Sequence, residues 1–305
     1  LDTDENGIRM NSYFVRHPEM VLGEMVMEST QYGMDSVCRP REGDDLAALL
    51  NKAVSELHAR LPAYEQDGPE EEDLSIPADP DVRKYSFTSV DGKLYYFDAD
   101  GVMQKNVNFG IDVSKYQSNI DWNKVKKAGV NFVIIRIGYR GYGASGTLVQ
   151  DPMFEEHFTN ARNAGLKVGV YFFTQAVTED EAREEAQGCN WVLNGRKLDY
   201  PIYFDTEASG GKNGRADGLG VEDRTKCAIA FCEEVKAQGY QPGVYASTLW
   251  FRKRIDLNRL KSYSIWNAHY NVAGSPIACD MWQGTCTARI PGYGGQIDVN
   301  ISYVG

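Results

Sequence analysis

Tyr200-Pro201-Ile202-Tyr203-Phe204-Asp205-Thr206-Glu207 is the stretch on which the fold turns. Its aromatic and β-branched run reads as a short buried strand, and it stops on an Asp-x-Glu pair. Strand residues two apart share a side, so Asp205 and Glu207 project together while Thr206 turns away. The same punctuation occurs elsewhere. Asp112 follows Phe109-Gly110-Ile111, and Asp298 ends a run in Gln296-Ile297-Asp298-Val299-Asn300. One Asp after a strand is usually a helix cap or a turn residue. Four acids so placed, two of them paired, point to a shared site.

Further strand-like runs lie at Phe132-Val133-Ile134-Ile135, at Val168 to Phe173, at Gly243-Val244-Tyr245-Ala246, at Ser264-Ile265-Trp266 and at Cys279 to Trp282. Helix-length amphipathic segments alternate with the earlier ones. They run from Asp151 to Ala164, from Glu179 to Leu193 and from Glu222 to Gln238, each followed by a glycine stop. This rhythm predicts an α/β domain with a parallel sheet. About eight strands in about 200 residues fit a closed barrel better than an open sheet. The late strands come without full helices between them, so the last part of the barrel is expected to be irregular. In a parallel barrel every strand ends on one face, which would bring Asp112, Asp205, Glu207 and Asp298 to one mouth.

Carboxylates crowded together cannot all ionise cheaply, so at least one keeps its proton beside charged neighbours. An acid next to an anion is what glycosidic cleavage requires. A hard metal held by oxygen ligands is the rival use of the same acids, but no histidine adjoins them in sequence. No metal or cofactor is expected. Aromatic residues near strand ends, among them Tyr139, Tyr171, Tyr245, Trp266 and Trp282, suit the apolar faces of sugar rings, and Gln283 and Asn267 suit their hydroxyls.

The chain has 305 residues, 42% hydrophobic and 25% charged, which excludes a low-complexity or disulfide-dense protein. No apolar run approaches membrane-spanning length. The net charge of −11 is lopsided: residues 1–105 carry 10 basic and 22 acidic side chains, and residues 106–305 carry 22 and 21. The large domain therefore offers no basic face, and nucleic acid is excluded as its partner. Six cysteines lack zinc spacing, and Cys279 with Cys286 reads equally as a local disulfide or as free thiols. No secretory signal is visible, and an opening Leu leaves room for a missing upstream piece.

The front third has three textures. Residues 1–66 hold one helical pattern, from Asp44 to Leu57, and residues 67–82 read as an acidic, proline-bearing linker. In residues 83–105, Asp91-Gly92 lies between two β-rich runs, a strong hairpin signal. This segment resembles one copy of the aromatic repeat of choline- and glucan-binding cell-wall modules. Such repeats bind by stacking on neighbours, so a lone copy is expected to act as a spacer. Residues Arg9-Met10-Asn11-Ser12-Tyr13-Phe14, on to Met25, faintly resemble helicase-like proteins of mobile elements, over too short a span to carry that function.

Residues 107–305 resemble the glycoside hydrolase family 25 lysozymes, the Chalaropsis-type N-acetylmuramidases. The motifs that carry the likeness are Phe109-Gly110-Ile111-Asp112-Val113-Ser114, Tyr203-Phe204-Asp205-Thr206-Glu207, Met281-Trp282-Gln283 and Ile297-Asp298-Val299-Asn300. The resemblance implies a modified TIM-like barrel of five β/α units and three further strands. It implies hydrolysis of the β-1,4 bond between N-acetylmuramic acid and N-acetylglucosamine in peptidoglycan, with retention, outside the cell or in its wall. Glu207 matches the proton donor, and Asp205, Asp112 and Asp298 match the other acids. Tyr171, Tyr245, Trp266 and Trp282 fall where that family lines its groove, with Tyr139 and Gln283 as further contacts. Phe172-Phe173-Thr174 departs from the usual Tyr-His-Phe type run and removes no acid. Peptidoglycan strands are the expected partner of a monomer. A glycan-binding protein without turnover and a chitin-type glycosidase are the alternatives.

Overall fold

Asp91 and Gly92 form a two-residue turn with φ of +48° and +73°. Both angles suit the twist of antiparallel strands. The turn joins β1, Ser86–Val90, to β2, Lys93–Phe97, as the Asp-Gly signal predicts. The computed structural model describes residues 84–209 and 214–304, plus the backbone of a short antiparallel pairing of Asp2–Thr3 with Arg9–Met10. The helix expected at 44–57, the linker at 67–82 and the helicase-like side chains lie outside the described residues.

Eight strands then close into a barrel. They are β3 Phe109–Val113, β4 Val130–Arg140, β6 Lys167–Phe173, β7 Ile202–Asp205, β8 Pro242–Ser247, β9 Ser264–Ala268, β10 Met281–Ala288 and β11 Ile297–Ser302. From β3 to β10 these neighbours pair in parallel. The last strand, β11, is reversed and pairs antiparallel with both β10 and β3. A short antiparallel strand β5, Leu148–Gln150, adds to the far end of β4 and was not legible in the sequence.

Helices α1 Trp122–Lys127, α2 Phe154–Asn163, α3 Glu179–Leu193, α4 Val221–Ala237 and α5 Thr248–Lys253 fall between successive strands up to β9. Their starts follow capping chemistry. Thr178 accepts the Glu181 N–H at 3.2 Å, and the Glu181 carboxylate accepts the Val177 N–H at 2.8 Å, so two otherwise orphaned donors are satisfied at the head of α3. α2 begins three residues later than expected because Asp151 stays outside it and accepts the Met153 N–H. No described helix is long and apolar enough to cross a membrane.

Strand alternation splits the core into two layers. Phe132, Ile134, Tyr203, Tyr245, Trp266 and Met281 fill the barrel, while Ile111, Val133, Val244 and Val299 face the outer layer of helices. No described helix covers β10, and the hairpin takes that place. The ring of Phe87 lies 5.8 Å from Trp282 and 6.4 Å from Phe109, and Tyr96 lies 5.6 Å from Trp282. Leu94 N donates to Ala128 O at 2.8 Å, and Ser89 Oγ donates to Arg289 O at 3.1 Å. A Cβ on Gly284 would come within 2.5 Å of the Phe87 ring, so only glycine lets the hairpin approach. The hairpin is thus part of the barrel's compact unit, not a detached spacer. The apolar wall left bare by the missing helix is the reason. Phe87→Ala should cost about 2–4 kcal/mol of stability in urea unfolding. A loss under about 0.5 kcal/mol would mean that the hairpin rests on the wall without supporting it.

A buried ion pair ties α3 to the mouth. Arg140 Nε donates to Glu185 Oε1 at 2.8 Å, with both side chains inside the protein. Arg140 also donates to Gly146 O and Glu181 O, and Thr174 Oγ1 donates to Glu185 Oε2 at 2.7 Å. Burial pushes the Glu185 carboxyl up to about 7, against the opposing pull of Thr174 and Arg140.

Candidate active site

Asp112 lies on β3 and faces inward, since its neighbours Ile111 and Val113 belong to the outer layer. Its Oδ2 accepts two amide N–H groups, from Gln283 on β10 and Asn300 on β11, each at 2.8 Å. Burial raises its carboxyl to about 6, and those two bonds hold it from rising further. Gln283 is oriented in turn by the hydroxyls of Tyr245 and Tyr270, which donate to its Oε1 at 2.8 and 2.6 Å. Asn300 Oδ1 accepts the Trp266 indole N–H at 2.8 Å. The Asp112 carboxylate therefore sits in a chain of committed donors.

Asp205 ends β7 and is buried. Its backbone is held by Thr174 N, which donates to Asp205 O at 3.0 Å, and Thr206 N donates to Tyr245 O at 3.1 Å. Burial first, then the charges of Glu207 and Asp112, raise its carboxyl well above the ordinary range. Its Oδ1 is buried without a hydrogen-bond partner among the described residues. Glu207 lies two residues on and is accessible to solvent, yet the walls crowd its carboxyl. Desolvation and the charge of Asp112 push it up to about 7, and Arg136 pulls the other way.

Thr206 turns out of the mouth, as parity requires, and meets Arg224. Arg224 Nη1 donates to Thr206 Oγ1 at 3.0 Å, Nη2 donates to Ala216 O at 2.6 Å, and the guanidinium lies 4.4 Å over the Trp250 ring. Burial lowers its pKa to about 10. It clamps the residue between the two acids from behind.

Asp298 reaches the mouth by a different route from the one expected. It stands at the start of β11, not the end, and pairs in register with Asp112. Because β11 is reversed, its beginning lies where the parallel strands finish. The four acids thus share one end of the barrel, and the charges of Asp112, Asp205 and Asp298 all bear on Tyr171. Tyr171, Tyr245 and Tyr270 are raised well above their ordinary value, by burial before any charge, and so remain neutral hydroxyls.

Other candidates land differently. Trp282 is a correction: Gln283 points in, so Trp282 points out, under the hairpin, with its indole N–H on His269 O at 2.7 Å. Trp266 is 1% exposed and packs inside the barrel against Tyr245 at 4.5 Å, as floor and not as groove surface. Gln283 gives its amide to Asp112 and the two tyrosines, and Asn267 gives its own to Thr248 and Ser275. Neither is left for sugar hydroxyls. Tyr139 is half-buried, with Arg136 over its ring at 5.4 Å. Tyr142 stands edge-on to Phe173 at 6.1 Å, in reach of the Glu207 charge. Sequence reading missed Asn300 and Arg136. Asn300 is two residues past Asp298 on the same face, and Arg136 is a charge on the apolar inward face of β4. Cys279 and Cys286 are not joined to each other by a disulfide. Seven residues of largely extended chain, about 3.3 Å each, separate them too far to bond.

The sequence profile of the glycosyl hydrolases of family 25 matches residues 111–293. Lysozyme M1 of Streptomyces globisporus is 27% identical over 203 residues, covering 63% of this chain and 66% of that protein. The autolytic lysozyme of Clostridium acetobutylicum is 24% identical over 193 residues, covering 63% of this chain and 54% of its own length. The chain thus spans between half and two thirds of these relatives. Among solved structures, the modular autolysin LytC from Streptococcus pneumoniae in complex with a synthetic peptidoglycan ligand superposes with a TM-score of 0.60 at 24% identity, over 72% of this chain and 52% of that one. A family 25 glycosyl hydrolase from Bacillus anthracis gives 0.56 at 23% identity, over 66% and 92%. At these identities the structural likeness speaks to the fold.

Proposed function

The chain belongs to family 25 of the glycosyl hydrolases, and from that premise we propose that it is a peptidoglycan muramidase, with residues 107–305 as its catalytic barrel. It cuts the β-1,4 bond between N-acetylmuramic acid and N-acetylglucosamine with retention. Such a substrate places the working protein at the cell wall. The observation that carries this reading is the division of labour among the acids. Glu207 keeps its proton up to about 7, while Asp112, fastened by two amides, gives its proton up from about 6.

In this reading Glu207 gives its proton to the glycosidic oxygen as the bond to the anomeric carbon breaks. The Asp112 anion offsets the positive charge that develops on the sugar. Asp205 is a poor nucleophile, because burial favours its neutral form. Its spare Oδ1 suits the N–H of the sugar's 2-acetamido group, whose carbonyl oxygen then attacks the anomeric carbon. Water, deprotonated by the Glu207 carboxylate, opens that ring, and two inversions give retention. Asp298, Tyr171, Tyr139 and Tyr245 line or support the same mouth.

The kcat/KM profile should be a narrow bell. Activity falls below about 6 as Asp112 takes a proton and above about 7 as Glu207 loses one. The limbs belong to the coupled set of acids. A flat profile across that window would remove the assignment. Mass spectrometry of fragments from a defined wall tests the bond itself: new reducing ends on N-acetylmuramic acid are expected, and ends on N-acetylglucosamine would overturn the reading.

A further inference from the structure

The buried residues of α3 are Ala182, Glu185, Ala186, Cys189 and Leu193, spaced three and four apart, so they form one stripe against the barrel. Trp191 lies off that stripe and is 78% exposed, the highest value for a large apolar side chain among the described residues. An indole on the outer face of a helix adds nothing to the core, and it is a poorer helix former than the charged residues usual there. It lines a groove of about 720 Å³, within the usual range of small-ligand sites. The same groove is lined by Gln150, Glu155, Asn190, Asn194 and Arg196. Arg196 donates to both Glu155 oxygens, from Nη1 at 2.7 Å and from Nη2 at 2.9 Å, and its Nε donates to Leu193 O at 3.0 Å. Its guanidinium lies 5.2 and 4.8 Å from the ring centres of Phe154 and Phe158. Gln150 Nε2 donates to Glu155 Oε1 at 3.2 Å. These groups are held in place before anything binds, while Trp191, Asn190 and Asn194 stand exposed beside them.

The chemistry of these side chains selects the ligand. The two charges of the groove, Arg196 and Glu155, neutralise each other, so it offers no surplus for a phosphate or an acidic peptide. One exposed ring within a polar rim is too little apolar surface for a stable protein partner, which buries about 800 Å² on each side. A flat ring beside amides that both donate and accept matches a neutral sugar. The sugar's C–H face suits the indole, and its hydroxyl or acetamido groups suit the amides. The placement fits a polymer of such sugars. α3 starts beside the mouth, where Thr174 N holds Asp205 O, and its 15 residues run about 22 Å away from it at about 1.5 Å each. The groove at the far end of α3 is thus separate from the mouth. A wall of many repeated units fills both at once, and each contact then raises the effective concentration for the other.

We propose that the Trp191 groove is a second glycan-binding site, which holds a neutral N-acetylated sugar of the wall against the outer side of α3 while another stretch of glycan occupies the mouth. This rests on the muramidase reading. The test uses the full chain carrying Glu207→Gln, so that walls are not consumed, with purified peptidoglycan sacculi as the probe. Adding Trp191→Ala should raise the apparent Kd for the sacculi about 5–20-fold in sedimentation, and Trp191→Phe should restore part of that loss. A second readout uses the indole itself. Of the five tryptophans, Trp122, Trp266 and Trp282 are buried and Trp250 is half-buried, so the component of fluorescence most open to acrylamide belongs to Trp191. Soluble fragments of the same walls should protect that component, and Trp191→Phe should lack it. Wall binding unchanged by Trp191→Ala, or quenching unaltered by the fragments, would overturn the proposal. So would a dimer that Trp191→Ala dissociates, since the ring would then cover a second copy. A wild type that cuts walls while its binding ignores Trp191 rejects this inference alone. One that binds through Trp191 without cutting rejects the muramidase reading alone, and one that neither binds nor cuts rejects both.

Discussion

Glu207→Gln should lower turnover on purified cell walls by about 10²–10⁴-fold while the fold stays intact. The amide keeps the shape of the carboxyl but has no acidic proton to give the leaving oxygen. Nor can it later act as the base that deprotonates water. Glu207 is reached by solvent and closes no packed interior, so its exchange should move unfolding by no more than about 0.5 kcal/mol. Whatever activity remains should lack the alkaline limb near 7, because the group responsible for it is gone. Near-normal clearing of walls by this variant would reject Glu207 as the acid.

Arg140→Met should bring the largest loss of stability, about 3–5 kcal/mol, at alkaline pH, because there it strands a buried carboxylate. Glu185 would keep the Thr174 hydroxyl but lose its counter-charge. The sign with pH is fixed. Its folded carboxyl, at about 7, already lies above the ordinary 4.5. What Glu185 contributes to stability is therefore fully present below the unfolded value and is lost as pH rises through the folded one. Without Arg140 the folded value climbs further, so the variant's deficit should be small in acid and should open only as pH rises through about 7 and beyond. Urea unfolding at about pH 4 and about pH 8 measures the difference. An equal deficit at both would mean that the loss is one of packing and not of charge.

Much of the site was legible because strand parity is a strict rule. Asp205 and Glu207 two apart, and Asp112 after an apolar run, were enough to forecast a common mouth. Parity carries no direction, however. The alternation of Ile297, Val299 and Ile301 reads the same for a forward or a reversed strand, so Asp298 was brought to the right place by the wrong route. Trp282 shows the opposite failure, since its parity was available and an aromatic beside a motif outweighed it. Gln283 looked free for sugar because nothing local announces that Asp112 and two tyrosines will claim it. The destination of Phe87 and Tyr96 was hidden for a similar reason, as it depends on which side of the barrel lacks a helix. The β/α rhythm, by contrast, was read nearly to the residue at α3 and α4.

The reversed strand has a bearing on biosynthesis. The amide of Asn300 that steadies Asp112 is made late, some 188 positions after the acid it serves. Until that strand is inserted between its two neighbours the ring is open, and Asp112 lacks one of the two amides that fasten it. The acid mouth is complete only when the circle shuts.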